Sequence, residues 1–202
     1  MIFAEFDYIT LPALCGNLRE DVGALLCANG KETTFTHVCA VAEQNKVLAA
    51  RLGLDAEKCA AAGLLHDVSS VIRAEDMLVY AQRHGLSLCA AEERFPFLLH
   101  QRLSEIAARE WFKVTDADIL SPIAVHSTLK AGANTYKMAL FLADKLAWDQ
   151  DGAPPFRDAV TAALEISPQA ACLAYMDYME SAGRVLYPHE DWVRAESWLR
   201  GE

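Results

Sequence analysis

The sequence predicts an all-α protein built as one helical domain with additional N- and C-terminal helices. Apolar residues recur at helical spacing along most of the 202 residues, and the alternating runs typical of β-strands are nearly absent. Hydrophobic residues make up 53% of the chain and the mean hydropathy is +0.10, which indicates a sizeable buried core. This length suits one domain and is too short for two large ones.

Start and stop residues place the first helices. An opening helix is predicted through residues 11–30, where an Asn-Gly pair forms the stop. The second is predicted over 35–52, ahead of a glycine, and it follows threonines that can accept bonds from free backbone N–H groups. His37 then lies in the first turn of this helix. Asp55 is the predicted N-cap of a third helix.

The third helix is predicted to carry His66 and Asp67 toward its C-terminal end. A fourth helix is predicted over 73–84, where His84 beside the stop is interpreted as structural. Residues 87–97 are predicted to form a loop, because a proline near its end imposes an extended conformation on the residue before it.

His100 is predicted to begin the following helix. Asp116 is the predicted N-cap of the helix that leads to His126, and Pro122 is expected to kink or restart it. Asn134 is predicted to begin the helix that contains Asp144.

The domain is predicted to span 1–202, with a core of about 33–149 and a helical extension of about 154–202 after a linker rich in Asp, Gly and Pro. Two or three helices are expected in the extension. Its aromatic and Met residues are interpreted as core or as contacts of a homodimer rather than as a cofactor site. These residues include Tyr175, Met176, Tyr178, Met179, Trp192 and Trp198.

Composition excludes several classes of partner. The formal net charge of -10 and the pI near 5.0 oppose non-specific nucleic-acid binding, which depends on clustered Lys and Arg. No apolar run reaches the roughly 18–20 residues of a membrane span. The N-terminal segment carries acidic residues where a signal peptide would carry basic ones. A cytoplasmic protein without nucleic-acid or membrane partners is expected.

The cysteines are even in number but scattered, and no C-x-x-C pair occurs. We interpret them as buried, reduced thiols that act as small hydrophobic side chains, in keeping with the cytosol. They are Cys15, Cys27, Cys39, Cys59, Cys89 and Cys172.

Six positions point to chemistry, because each is a metal-ligand type set in an apolar helical stretch: His37, His66, Asp67, His100, His126 and Asp144. Neutral imidazoles and carboxylates bind borderline divalent metals and leave positions open for water. An unpaired carboxylate in such surroundings would cost several kcal/mol. Lys145 alone cannot serve two carboxylates and orient two imidazoles, so metal binding is favoured over a purely structural network.

The order of these residues resembles the HD-domain phosphohydrolase superfamily, whose signature is an early His, a His-Asp dipeptide and a late Asp on separate helices. The stretches AGLLHD, VHST and LADK further resemble the YqeK-type branch, the symmetrical bis(5'-nucleosyl)-tetraphosphatases. This resemblance covers roughly residues 36–149. It implies an enzyme that hydrolyses diadenosine tetraphosphate to two ADP.

The resemblance also implies how two metals are held. His37, His66, Asp67 and Asp144 would hold one metal, and His100 and His126 would hold a second, with Asp67 bridging. Two metals about 3.5–4 Å apart can clamp both sides of an in-line phosphoryl displacement. The expected catalytic residues are therefore Asp67, His66, His100 and His126. Iron is the implied metal, and the ligand set equally tolerates manganese, cobalt or zinc.

Candidate phosphate contacts flank the ligands in the sequence: Ser70, Arg102, Thr128, Lys130, Lys137 and Lys145. Ser70 stands where the YqeK-type pattern has a Lys, and Leu129 departs from the pattern after the fourth His. A hydroxyl at Ser70 or Thr128 can donate to phosphate, although without the charge of Lys. Ser127 and Thr128 lack the G-x-S-x-G context of a nucleophile, and His189 is expected to be exposed.

Three functions therefore remain open. The first is hydrolysis of a nucleotide phosphoanhydride, with a dinucleoside polyphosphate as the implied substrate. The second keeps the metals but acts on a mononucleotide or another phosphoester. The third is a non-catalytic regulatory domain that binds a nucleotide or a protein. Degenerate regulatory domains commonly lose ligands, whereas all six are present here, which favours an enzyme.

Overall fold

A computed structural model describes residues 1–202 and contains helices but no β-strand, which confirms the predicted all-α fold. The helices follow in the order α1 (Leu18–Ala28), α2 (Glu32–Leu52), α3 (Ala56–Leu65), α4 (Ala74–Arg83), α5 (Ala90–Arg94), α6 (His100–Glu110), α7 (Ala117–Ile123), α8 (Thr135–Leu146), α9 (Arg157–Leu164), α10 (Pro168–Ser181) and α11 (Glu190–Arg200). Short 3-10 turns occupy Ile2–Glu5, Val68–Val71 and Pro96–Leu99.

The centre of the bundle is α2, the longest helix, which packs against both α3 and α8. Helices α6 and α7 complete this centre by packing on one another and on α3, and α7 also contacts α8. Helix α2 therefore packs both on its neighbour in the chain, α3, and on α8, which lies far from it in the sequence. The extension joins the same core, because Phe141 of α8 contacts the rings of Tyr175 and Trp192 at 5.5 and 6.3 Å.

One close approach sets the spacing between α2 and α3. A Cβ atom placed on Gly63 would lie 2.6 Å from the Cα of Ala42 and 2.8 Å from its backbone nitrogen. Only glycine allows the backbones of the two helices to come this close. The consequence is that the C-terminal end of α3 is held directly against α2.

Three predicted caps are confirmed by side-chain hydrogen bonds. The Asp55 carboxylate accepts from Glu57 and Lys58 N–H, and Asp116 accepts from the N–H two residues later. Asn134 accepts from Lys137 N–H at the start of α8. These bonds are local, so the sequence alone was sufficient to place them.

Two predicted helix starts are wrong. Helix α1 begins at Leu18 rather than near residue 11, because the Asn17 side chain caps it and Gly16 adopts a positive φ just before it. Helix α2 begins at Glu32 rather than 35, directly after the left-handed Gly30. His37 consequently lies in the second turn of α2, not in the first.

The loop predicted over 87–97 is also wrong, since α5 and a 3-10 turn occupy most of it. The Glu92 carboxylate accepts the Cys89 N–H at 3.1 Å and closes a capping box at the start of α5. His100 begins α6, as expected. Helix α7 ends one residue after Pro122, so His126 lies in the turn that follows this short helix.

The cysteines agree only partly with the prediction that they are buried, reduced thiols. All six thiols are free, but Cys59 and Cys172 alone are buried, and Cys15 and Cys27 are exposed. In the extension, Tyr175, Met176 and Trp192 are buried in the core. No helix combines the length and the apolar character that crossing a membrane requires. The division of the domain into core and extension remains a prediction.

Candidate metal centre

The six predicted ligands come from five places in the chain and meet in the centre of the bundle. Helix α2 supplies His37, the turn after α3 supplies His66 and Asp67, and α8 supplies Asp144. The first residue of α6 is His100, and the turn after α7 contains His126. Their ligand atoms form overlapping groups in which every atom lies within 4.8 Å of the others.

Asp144 defines one half of the centre. Its Oδ1 lies 3.1 Å from His37 Nε2 and 3.6 Å from His66 Nε2. The same His66 nitrogen lies 3.6 Å from Oδ2 of Asp67. His66 therefore lies between the two carboxylates, and His37 joins it beside Asp144 between α2, α3 and α8.

The other half is formed by two imidazoles and the second oxygen of Asp67. The Nε2 atoms of His100 and His126 lie 3.0 Å apart. They lie 3.5 and 3.4 Å from Asp67 Oδ1, respectively. Asp67 thus presents Oδ2 to His66 in one half and Oδ1 to the imidazoles of the other half.

Three of the four imidazoles are oriented in the same way, through a hydrogen bond from Nδ1 to the carbonyl three residues earlier. A carbonyl oxygen only accepts, so Nδ1 carries the proton and a neutral ring directs its Nε2 lone pair into the centre. The three pairs are His66 to Gly63 at 2.7 Å, His100 to Phe97 at 2.6 Å and His126 to Ile123 at 2.9 Å.

Several buried polar atoms of the centre lack hydrogen-bond partners. Such atoms show whether the residues fit a metal, because a bound cation would pair with them. Asp67 Oδ1 and His66 Nε2 are buried with no hydrogen-bond partner. Burial lowers the pKa of His100 and lowers that of His126 to about 4, so both rings are neutral at pH 7. Their Nε2 atoms, which face each other, then each carry a lone pair. A divalent cation would satisfy all of these atoms, and nitrogen with carboxylate oxygen is a suitable donor set.

The two carboxylates are kept ionised by their neighbours. Burial would raise the pKa of Asp144, but the Lys145 ammonium and the imidazoles hold it well below its usual range. Burial would likewise raise the pKa of Asp67, and the neighbouring His66 imidazolium lowers it. Lys145 contacts Asp144 Oδ2 directly and lies 3.4 Å from the carbonyl of His126.

His66 lies between both carboxylates. Burial would lower the pKa of this imidazole, but Asp67 and Asp144 outweigh burial and raise the pKa to about 9. At neutral pH without metal, His66 therefore binds a proton. That proton occupies the Nε2 position that a metal would take.

The residues predicted to contact phosphate lie in different surroundings. Lys145 belongs to the centre through Asp144, and Thr128 is buried and hydrogen bonded to Gln101. The Ser70 hydroxyl is buried without a partner. Lys130 is exposed and Lys137 half-buried, and neither side chain contacts a ligand residue by a hydrogen bond or an ion pair.

Arg102 is directed elsewhere. Its Nη1 contacts the Ser87 carbonyl at 2.7 Å and both Glu92 oxygens at 3.0 Å. The sequence interpretation missed Gln101, whose Oε1 accepts from Ser127 N–H at 3.1 Å and whose Nε2 donates to Thr128. Gln101 therefore holds the turn that positions His126, although no sequence signal marks a glutamine for this role.

His189 is not exposed, contrary to expectation. The residue is 8% exposed, its Nδ1 accepts from Asp191 N–H at 3.0 Å, and its Nε2 lies 3.7 Å from Glu92. Cys89, Glu92 and His189 form a second group of metal-ligand types. Because Nδ1 accepts a hydrogen bond, the proton of the neutral ring lies on Nε2. This nitrogen has no lone pair for a metal and instead faces the Glu92 carboxylate as a donor.

A polar cleft reaches the centre from the α2 side. Its volume is about 200 Å³, and it is lined by Thr33, Thr34, His37, Asp67 and Asp149. An adjoining cavity adds Thr36 and Trp148 to this lining. Hydroxyl groups therefore border the approach to His37 and Asp67.

Comparisons with known proteins identify the family of the chain. A family model described as HD domain matches residues 34–182, more than half of the chain. A relative from Lactococcus lactis subsp. cremoris, described as an uncharacterized protein in the pepC 5'region, is 39% identical over 128 residues. This match covers 63% of the chain and 66% of the relative, so it spans just under two thirds of that protein.

The fold is also similar to that of a solved protein. The crystal structure of a predicted HD superfamily hydrolase involved in NAD metabolism, from Clostridium acetobutylicum, matches with a TM-score of 0.80 at 22% identity. The match covers 90% of this chain and 96% of the other. At this identity the likeness establishes the fold. The family match supports a metal-dependent hydrolase, and the chain belongs to the HD domain family.

Proposed function

We propose that this protein is a metal-dependent phosphohydrolase that cleaves a phosphoanhydride of a nucleotide. The observation that carries the proposal is the position of Asp67. Its Oδ2 lies 3.6 Å from His66 Nε2, and its Oδ1 lies 3.5 and 3.4 Å from the Nε2 atoms of His100 and His126. A carboxylate in this position can bridge two metals. His37, His66 and Asp144 would complete one site, and His100 and His126 the other.

When bound, two divalent metals supply Lewis acidity and lower the pKa of water enough to make a nucleophile at neutral pH. Iron is the first metal to test, and manganese, cobalt and zinc suit the same donors. Lys145 keeps Asp144 ionised and in place. The carbonyl bonds to Nδ1 keep the Nε2 atoms of three imidazoles directed inward, so the ligands are oriented before metal binds.

Phosphate groups held at the centre would be bordered by the polar cleft. The Thr33 and Thr34 hydroxyls line it and can donate to phosphate oxygens, while the ammonium of Lys145 is already engaged by Asp144. The net charge of -10 would repel a polyphosphate, so positive charge at the centre has to come mainly from metal. This agrees with a substrate that binds only to the metal-loaded protein.

A nucleotide is the substrate class we propose, with diadenosine tetraphosphate as the first candidate. Two observations support it: the motifs resemble the symmetrical tetraphosphatases, and the structurally similar Clostridium protein is described as involved in NAD metabolism. Attack at the central anhydride would give two ADP. Ser70 and Leu129, which depart from the YqeK-type pattern, bear on this choice because they remove one expected cation and alter the turn after His126.

A chromatographic screen of the products from several nucleotides, with metal-reconstituted protein, tests the proposal. Chromatography of early products from diadenosine tetraphosphate should show two ADP, whereas ATP with AMP would reject symmetrical cleavage. Turnover of a mononucleotide without turnover of the dinucleotide would move the protein to the phosphoester alternative. Two bound metals without any turnover would favour a regulatory domain.

A further inference from the structure

An apolar pocket of about 400 Å³ lies beside the metal centre, outside the polar cleft. Three segments form it: the turn before α6, the turn after α7, and residues 179–192 of the extension. Eight of its twelve lining residues are hydrophobic. A concave apolar site with few polar groups is typical of a small-molecule pocket.

The pocket shares a wall with the metal centre. The Phe97 ring stacks on the His100 imidazole, with centroids 4.6 Å apart and planes inclined by 13°. Ser127, which also lines the pocket, places its hydroxyl 3.0 Å from His100 Nε2. The pocket therefore lies directly against the His100–His126 half of the centre.

Aromatic rings in the pocket are unusually exposed. Phe95, Phe97 and Tyr187 are 43%, 54% and 47% exposed, and the rings of Phe95 and Tyr187 lie 6.3 Å apart at 60°. Phe95 and Tyr187 meet edge to face, and an exposed aromatic face provides stacking surface for a planar ring, since every nucleobase has a π-face.

The charge of the pocket also differs from that of the whole chain. Arg184 lines it, and no Asp or Glu does, although the chain carries a net charge of -10. A cation beside aromatic faces suits a ligand that combines an aromatic ring with an anionic group. An apolar peptide would have no need of this guanidinium.

We infer that this pocket binds the purine base of the nucleotide substrate, with the phosphates running past Ser127 to the imidazoles of His100 and His126. The inference rests on the proposed function and deepens it. The extension then has a role in substrate recognition, because it contributes Arg184 and Tyr187 to the lining of the pocket.

Binding experiments on the full chain test this directly. Adenosine is titrated into the metal-free protein, and ADP or inorganic pyrophosphate into the metal-loaded protein, by isothermal calorimetry. Phe95→Ala and Tyr187→Ala should each weaken adenosine and ADP binding by about tenfold, the scale of one lost base–aromatic stack. Pyrophosphate binding should not change. Ile166→Ala, which removes an 81% exposed side chain outside the pocket, is the matched control.

The outcomes distinguish this inference from the proposed function. Turnover of the nucleotide substrate with unchanged ADP affinity in both aromatic variants would overturn the pocket assignment and leave the hydrolase proposal standing. If the aromatic substitutions weaken adenosine binding but the protein turns over no substrate, the pocket assignment stands and the hydrolase proposal is overturned. Failure of adenosine and ADP to bind the wild-type chain, or a solution dimer that protects Phe95 and Tyr187 from solvent, would also overturn the assignment. Phe95→Leu and Tyr187→Leu, which keep apolar volume but remove the ring, should reproduce the alanine results.

Discussion

The Nε2 atoms of His100 and His126 lie 3.0 Å apart, while both rings direct their Nδ1 protons to backbone carbonyls. Two neutral imidazoles in this arrangement turn lone pairs toward each other and cannot form a hydrogen bond between them. Nearby Asp67 adds a buried oxygen without a hydrogen-bond partner. The centre is thus built from donors to a cation, and its stability should depend on one.

Metal should stabilise the protein markedly. A ligand present at 100 times its dissociation constant adds about 2.7 kcal/mol to the free energy of unfolding. For a chain of this size each kcal/mol raises Tm by about 2–4 °C, so reloading with iron, manganese, cobalt or zinc should raise Tm by roughly 5–10 °C. Differential scanning fluorimetry and elemental analysis check this together. Trace metal and an unchanged Tm after reconstitution would contradict the two-metal centre, which predicts about two equivalents per chain.

Asp67→Ala should abolish both sites, because its two oxygens face both halves of the centre. His126→Ala should leave the His37–Asp144 half able to hold one metal. Substitution of residues that only hold metal ligands in place lowers metal affinity or activity about 10–100-fold. The loss of Asp67 itself should therefore lower activity more than about 100-fold. Asp158→Ala is the control, since Asp158 is exposed on α9 and belongs neither to the ligand cluster nor to the cleft. Retention of two metals by Asp67→Ala, with folding verified by circular dichroism, would refute the bridging role.

Metal binding should release a proton from His66 at neutral pH. In the metal-free chain the carboxylates of Asp67 and Asp144 raise its pKa to about 9, so the proton must leave before Nε2 can bind metal. Affinity should therefore rise with pH and level off above about 9. Calorimetry in buffers of different ionisation enthalpy measures the released proton. Affinity that stays constant between pH 7 and 9 would show that His66 is not a ligand.

Gly63→Ala should weaken both the fold and the metal centre. The added Cβ meets the backbone of Ala42, which cannot rotate away, and overpacking of this kind costs about 1–3 kcal/mol. Displacement of α3 would also move His66, whose Nδ1 donates to the Gly63 carbonyl. Denaturant unfolding and metal titration measure both effects.

Gly23→Ala provides the comparison, since its Cβ would meet only the ring of Phe35, at 2.8 Å. That ring is a side chain and can shift, so the stability cost should be smaller and metal affinity unchanged. Equal metal affinity in the two variants would argue against Gly63 as the residue that positions His66.

Glu92→Ala should destabilise the junction between α5, α6 and the extension. Burial would raise the pKa of Glu92, but His189 and Arg102 lower it to about 2, below its usual 4.5. The contribution of ionised Glu92 to the free energy of unfolding is therefore present above pH 4.5 and is lost as pH falls through about 2. We expect a loss of about 1–3 kcal/mol at pH 7, from the partners left unsatisfied.

Glu105→Ala is the matched control for Glu92, because it breaks only a more exposed ion pair with Arg109. Such pairs contribute about 0–1 kcal/mol. Urea unfolding at pH 7 and at pH 3 compares the variants with the wild-type chain. Equal stability of Glu92→Ala and Glu105→Ala at pH 7 would show that the junction does not depend on Glu92.

Local signals accounted for much of the fold. The caps Asp55, Asp116 and Asn134 lie where predicted, because a cap needs only its own side chain and the next two or three N–H groups. Helix α5 was missed because its stability depends on Glu92, which is also held by Arg102 from α6. His189 was misplaced for a related reason: its burial depends on contacts across the fold and not on its neighbours in the sequence.

By itself, the sequence determined the helical class and the six residue types suited to metal, since periodicity and motif order are properties of the chain. Only the tertiary structure decided that Asp67 directs one oxygen to His66 and the other to His100 and His126, and that Phe95 and Tyr187 meet edge to face in the lining of a pocket. His37 and Asp144 are 107 positions apart and meet only because α2 packs between α3 and α8. Such distances depend on how closely backbones pack, as at Gly63 and Ala42, and no local pattern encodes that spacing.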